Sequence, residues 1–315
     1  MYFDNVEIFK IEDCVDNLKN IYAHRSSEDS SAEKEKLTEH IKLTYKYLLF
    51  ICKQKNLDNV FMNFEKNLLK GKQKNIIHFW KEMLVNTIYM HDIGKINPGF
   101  QYDVMKNHLY EDNESGDSNH SLLGSYIYVS YFNRKIKELK FEDSDKVFLR
   151  YFMYINSYII SKHHGYLLDF ESYKRALVDG IKGYEKEDDF PDLKIDTIKS
   201  DIIRTFFYNS FDTIKNSMVK EDSKFNFNVY IYSKLLFSLL TASDYYATSD
   251  FMDGQKITDI GIITKELKKK FNDAFNNYKI VKNIREYEKK PVTDGNYKNI
   301  NQLRSEITLE SEKNI

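Results

Sequence analysis

The sequence predicts an all-α protein. Apolar residues recur at helical spacing through most long segments, strict alternation is hard to find, and the 315 residues hold only 3 Pro and 11 Gly. Such scarcity of turn residues argues against a β-sandwich and against a disordered chain. Leu37, Ile41, Tyr45, Leu48 and Cys52 form the first stripe. Trp80, Leu84 and Ile88 form the second, and Asn97-Pro98-Gly99 breaks it. Phe148, Phe152, Ile155 and Ile159 form the third, which Gly165 ends. Leu236, Leu239 and Leu240 form the fourth. Between them, YEDNESGDSN (110–119) and GYEKEDDFPDLK (183–194) read as acidic surface loops. A further helical run over roughly 262–290 reaches Pro291, PVTDGNYKN reads as a linker, and NINQLRSEITLESEKNI begins another helix.

Composition narrows the class. Cys14 and Cys52 are the only cysteines, so neither a disulfide framework nor a CxxC metal knuckle is available. The opening MYFDNVEIFKIED lacks a basic start followed by an apolar run, and so does not read as a signal peptide. No apolar stretch reaches the ~18 residues that span a bilayer. The expectation is a cytoplasmic protein with no membrane partner. A net charge of −1 gives no global attraction for nucleic acid, so such binding has to be local.

The chemistry lies in the histidines and aspartates that continue apolar faces, because burying a polar group without a partner costs about 2–7 kcal/mol. His91 and Asp92 follow the second stripe, with Lys95 one turn on, so all three can address one cavity. His163-His164-Gly165 ends the third stripe, where a turn lets both rings reach one site. His120 opens HSLLGSYIY behind Ser118 and Asn119 as possible caps. His40 lies beside the first stripe, and Asp244 continues the fourth. Each alone admits an ordinary structural role: a capped helix end, a satisfied core histidine, a surface pair. Together, separate helical stretches deliver seven candidate ligands in the order H, HD, H, HH, D. Imidazole-rich ligation with shared carboxylates suits two divalent transition ions such as Fe, Mn, Co or Ni better than Mg, which prefers oxygen. Two such ions would generate a hydroxide and clamp a phosphoryl group.

The order, with HDIGKINPGFQ and SKHHG, resembles the HD-superfamily metal phosphohydrolases. Within them, HDIGK, NPGFQ, HSLLG, HHG and TASDYYAT resemble the HD nuclease domain of the CRISPR-associated nuclease-helicase of type I systems, over roughly residues 15–255. The resemblance implies an HD-superfamily helical bundle with a dinuclear metal site in its centre. It implies that His40, His91, Asp92 and Asp244 hold one metal, and that Asp92 bridges to a second held by His120, His163 and His164. Lys95 would stabilise developing charge or help protonate the leaving group, which makes Lys95 and Asp92 the catalytic pair. His24, in YAHRSS, is a rival to His40 as first ligand; His78 and His108 match nothing and read as surface residues.

The implied activity is degradation of single-stranded DNA in antiviral defence, with a helicase motor and, through it, the Cascade complex as partners. Residues 1–255 would form the nuclease domain, 256–290 its helical extension, and 291–315 the linker and joining helix toward a motor. No G-x-x-x-x-G-K-[ST] occurs, and KGKQK (70–74) lacks the second glycine and the hydroxyl, so no nucleotide cofactor is expected in this chain. That leaves a stand-alone nuclease subunit or the N-terminal part of something longer. Residues 265–290 carry nine Lys/Arg against four Asp/Glu, a face that guides a strand, docks a motor, or is simply solvated. Rival readings are a phosphohydrolase of small nucleotides and an inert helical adaptor.

Overall fold

A computed structural model describes residues 1–27, 29, 32–111, 119–181, 192–194, 223–261, 264–288 and 300–313. Most of the two acidic segments and the whole 291–299 linker lie outside these residues. Among the described residues the protein is all-α apart from one small hairpin, as the sequence predicts. The chain separates into two compact units, Met1–Ile260 and Gly261–Ile315, with the boundary inside the 256–290 segment.

The first unit opens with irregular chain and the hairpin β1 (Tyr22–Arg25) and β2 (Lys34–Lys36), antiparallel with a bulge between Tyr22 and His24. Then come α1 (Leu37–Gln54), α2 (Asp58–Leu68) and α3 (Lys74–Tyr89). The span from His120 to His163 is a pair of helices, α4 (His120–Glu138) and α5 (Asp143–Lys162). Asn119 caps α4, its side chain accepting from the Leu122 N–H. After α6 (Phe170–Ile181), α7 (Ser223–Asp253) carries the fourth stripe.

Helix α5 is buried on every side from Phe148 to Ile160, so its polar residues need internal partners. Asn156 donates to Tyr128 Oη at 3.1 Å and accepts from the Tyr232 hydroxyl at 2.8 Å, while Tyr128 donates to Met83 O at 2.7 Å. One amide thereby ties α5 to α4 and α7, and Tyr128 ties that group to α3. The long apolar run YFMYINSYII is thus a core helix. Among the described residues, no helix is long and apolar enough to cross a membrane.

The structure departs from the sequence expectation at the second stripe. Helix α3 stops at Tyr89, and HDIGK follows as a turn and a 3-10 turn over Ile93–Ile96 held by i→i−3 bonds. The turn carries a close main-chain contact. A Cβ on Gly94 would lie 1.9 Å from His120 O and 2.6 Å from Gly124 N, so the glycine of HDIGK seats directly on the first turns of α4. Gly124, the glycine of HSLLG, is the reciprocal partner: its Cβ would come within 3.0 Å of His91 O. NPGFQ then leads into a π-turn over Phe100–Val104. The buried Gln101 donates to Lys95 O at 2.7 Å and Tyr22 O at 2.8 Å, and accepts from Tyr22 N at 3.1 Å, joining the HDIGK turn to β1.

In the second unit, the helical run of 262–290 appears as α8 (Lys265–Asn277) and α9 (Lys279–Glu288), separated at Tyr278, whose backbone is extended. The joining stretch is helical as α10 (Ile300–Lys313).

The Gly94 contact predicts a specific failure. Because the obstacle is backbone, Gly94→Ala is expected to cost about 3 kcal/mol or more, the upper end of overpacking, and to displace His120. Denaturant unfolding checks the stability, and a loss under 1 kcal/mol would contradict the contact.

Candidate metal centre

The fold brings all seven sequence-predicted ligands together. His40 stands in the first turn of α1, His91 and Asp92 in the turn after α3, and His120 opens α4. His163 and His164 follow α5, and Asp244 comes from α7. They form two groups that share Asp92. His40, His91, Asp92 and Asp244 make one, Asp92, His120, His163 and His164 the other, with ligand atoms inside each group within 4.8 Å of one another.

The two oxygens of Asp92 divide between the groups. Oδ2 lies 3.3 Å from His40 Nε2 and 3.4 Å from His91 Nε2. Oδ1 lies 3.3 Å from His163 Nε2 and 3.5 Å from His120 Nε2. Asp244 Oδ1 closes the first group, 3.1 Å from His40 Nε2 and 3.5 Å from His91 Nε2. His164 closes the second, its Nε2 2.9 Å from that of His120. His40, His91, Asp92 and His163 are buried, whereas His164 is exposed at the mouth.

Lys95 is buried, with Nζ 2.8 Å from Asp92 Oδ2. His24 is not in either group. Its Nε2 lies 3.0 Å from Lys95 Nζ, and its Nδ1 lies 2.8 Å from Glu35 Oε2. Glu35 Oε2 is also 3.2 Å from His40 Nδ1. His78 and His108 are exposed. Glu35 and Gln101 were not singled out by the sequence; the only signal was the Q of NPGFQ and an acidic residue five before His40.

Backbone partners fix how the rings present themselves. His91 Nδ1 donates to Ile88 O at 2.8 Å and His163 Nδ1 to Ile160 O at 2.6 Å, so in each neutral ring the Nε2 lone pair points inward. Neither Nε2 finds a hydrogen-bond partner, and neither does Asp92 Oδ1. Lone pairs facing carboxylate oxygens at 3.3–3.5 Å repel unless a positive centre lies between them. Divalent cations fit that requirement in both groups, and the nitrogen-rich donor set suits transition ions.

In the metal-free protein the two groups meet that requirement differently. Burial disfavours the charged form of His40, but its hydrogen bonds to Asp244, Asp92 and Glu35 outweigh burial and raise it to about 10. His91 is raised to about 9, where Asp92 and Asp244 likewise overcome burial. Burial also opposes ionisation of Asp92, yet Lys95, His91 and the other imidazoles hold its carboxyl well below the usual range. In the second group, desolvation pushes His120 down to about 2 against the pull of Asp92. Desolvation and then His163 push His164 down to about 4.

Metal loading should therefore release protons from His40 and His91 but none from His120 or His164. Ligand imidazoles must be neutral, so filling the His40–His91 group near pH 7.5 is expected to expel about two protons. Calorimetry in buffers of different ionisation enthalpy measures the number; a value near zero would contradict the assignment. Affinity of this group should rise with pH up to about 9–10, while His120 and His164 impose no such dependence above about pH 4. The sign for metal-free stability is opposite. The contribution of His40 and His91 is full below their ordinary value of 6.5 and is lost as pH rises through about 9 to 10.

No curated protein and no solved structure matches the chain. A family model described as Cas3, HD domain, matches residues 26–207, more than half of the chain. The matched stretch contains His40, His91, Asp92, Lys95, His120, His163 and His164, and leaves His24 and Asp244 outside it. With that match spanning both halves of the Asp92-centred cluster, the chain belongs to the family of Cas3 HD domains.

Proposed function

We propose that this chain is a metal-dependent nuclease of type I CRISPR systems that hydrolyses phosphodiester bonds of single-stranded DNA. The observation that carries the reading is the division of Asp92, one oxygen to each histidine group. His40, His91, Asp92 and Asp244 would hold one divalent ion, and Asp92, His120, His163 and His164 the other. When bound, such a pair supplies Lewis acidity toward a phosphoryl group and an activated water. The protein's own part is to orient. Carbonyls of Ile88 and Ile160 hold two rings with Nε2 inward, and Lys95 presents an ammonium beside Asp92 Oδ2 for charge developing on the phosphate.

Single-stranded DNA is favoured by two exposed aromatic residues close in sequence to the candidate ligands. Tyr166, two residues after His164, and Tyr245, next to Asp244, are 83% and 67% exposed and offer faces on which bases can stack. The chain carries no P-loop, so a helicase motor, fused or separate, would have to open duplex and deliver the strand, with the Cascade complex upstream of it. In this reading Gly261–Ile315, the second compact unit, includes the join toward that motor.

The test is degradation of circular single-stranded DNA by purified, metal-loaded protein, with deoxynucleoside triphosphates and cyclic nucleotides as competing substrates. Cleavage of the circle is expected, unaffected by ATP. Asp92→Asn should lose both metal and activity. Lys95→Ala should keep its metal and lose about 10²–10³-fold in rate, by analogy with a deleted oxyanion donor. Hydrolysis of a small nucleotide with the circle left intact would overturn the reading.

A further inference from the structure

We propose that His24 is a positioning residue for Lys95, kept in the necessary tautomer by Glu35. The inference rests on the reading above, in which Lys95 acts on the phosphate.

The geometry runs from the hairpin inward. His24 and Glu35 are cross-strand partners on β1 and β2. An ionised carboxylate only accepts, so the 2.8 Å contact between Glu35 Oε2 and His24 Nδ1 places a proton on Nδ1. The neutral ring then has a lone pair at Nε2. That atom lies 3.0 Å from Lys95 Nζ, an ammonium that can only donate. Reversing the tautomer would break both contacts at once.

For Lys95 the consequence is directional. One N–H goes to Asp92 Oδ2 at 2.8 Å and a second to His24, leaving the third for substrate. Without His24, a buried ammonium would have Asp92 as its sole strong partner. It would lean onto Oδ2, the oxygen that also faces His40 and His91. His24 therefore holds the ammonium beside the shared carboxylate without letting it settle there. The arrangement is stiff, because Gln101 bonds both the Lys95 carbonyl and the Tyr22 backbone two residues from His24. The same Glu35 oxygen faces His40 Nδ1 at 3.2 Å, so one carboxylate orients a candidate ligand and the lysine's holder together. A third cation at His24, Glu35 and His40 is opposed by the ammonium already on His24 Nε2.

The experiment uses the full chain in five forms: wild type, His24→Ala, His24→Gln, Lys95→Ala and His24→Ala/Lys95→Ala. Each is loaded with Mn²⁺, assayed for metal content, and assayed on circular single-stranded DNA. His24→Ala should keep its Mn²⁺ and lose about 10–100-fold in kcat, the usual range for a group that orients another, with KM little changed. His24→Gln should recover most of that loss, since its amide can donate to Glu35 and its carbonyl can accept from Lys95. The double variant should be no slower than Lys95→Ala, because His24 acts only through the lysine. A double variant slower by the full His24→Ala factor, or Mn²⁺ lost from His24→Ala, would overturn the proposal. A readout independent of activity is the long-range ¹H–¹⁵N spectrum of the metal-free wild type. There His24 should be protonated at Nδ1 and bare at Nε2, and the opposite tautomer would overturn the proposal even if the enzyme works. A wild type that cleaves no DNA yet shows the expected tautomer would sink the nuclease reading and leave the His24–Lys95 contact standing.

Discussion

The carboxylate of Asp92 is wholly buried, and its two oxygens face two different groups of histidines. A buried anion costs several kcal/mol unless it is surrounded by positive partners. Those partners come from far apart in the chain: the start of α1, the turn after α3, the start of α4 and the end of α5. Asp244 of α7 adds a second carboxylate to one side. The arrangement of helices is thus constrained by one side chain, since each must deliver an end, or a buried face, to the same few ångströms. The close approach of Gly94 to α4 is part of that constraint, because it sets how near His120 can come to Asp92.

Around this shared residue the site is chemically lopsided. The side with Asp244 and Glu35 is rich in carboxylate, and its imidazoles hold protons tightly. The side at the mouth has Asp92 as its one carboxylate, and burial holds His120 and His164 there in the neutral form. Protons on His40 and His91 can therefore stand in for a cation in the deeper group, which explains how so many buried donors coexist in a metal-free fold. In the outer group His163 and Asp92 are buried as well, and only His164 is exposed.

Much of this was legible in the sequence. Helical stripes located α1, α3, α5 and α7, and the histidines that continued or ended them are the ones that converge. Asp244 was readable because it prolongs the Leu236–Leu240 face. What was not legible has a common physical origin. Strands of four and three residues are too short to show a period of two, so the hairpin carrying His24 and Glu35 left no pattern. The early stop of α3 goes with a main-chain contact between Gly94 and α4, and nothing in the apolar spacing of 80–95 announces either. The role of His24 depends on a lysine 71 positions away, which local sequence does not encode.

The bonds from His91 to Ile88 O and from His163 to Ile160 O each close over three residues at a helix end. By contrast, His40 meets Asp244 across 204 positions. Contacts of such different separation do not form together during folding: local ones cost little loop-closure entropy, and distant ones cost more. The consequence is an order of events. The tautomer of these two candidate ligands can be set as soon as α3 and α5 terminate, while the His40–Asp244 pairing forms only when α7 docks on α1. In this fold the choice of which nitrogen carries the proton can precede the convergence of the residues around Asp92.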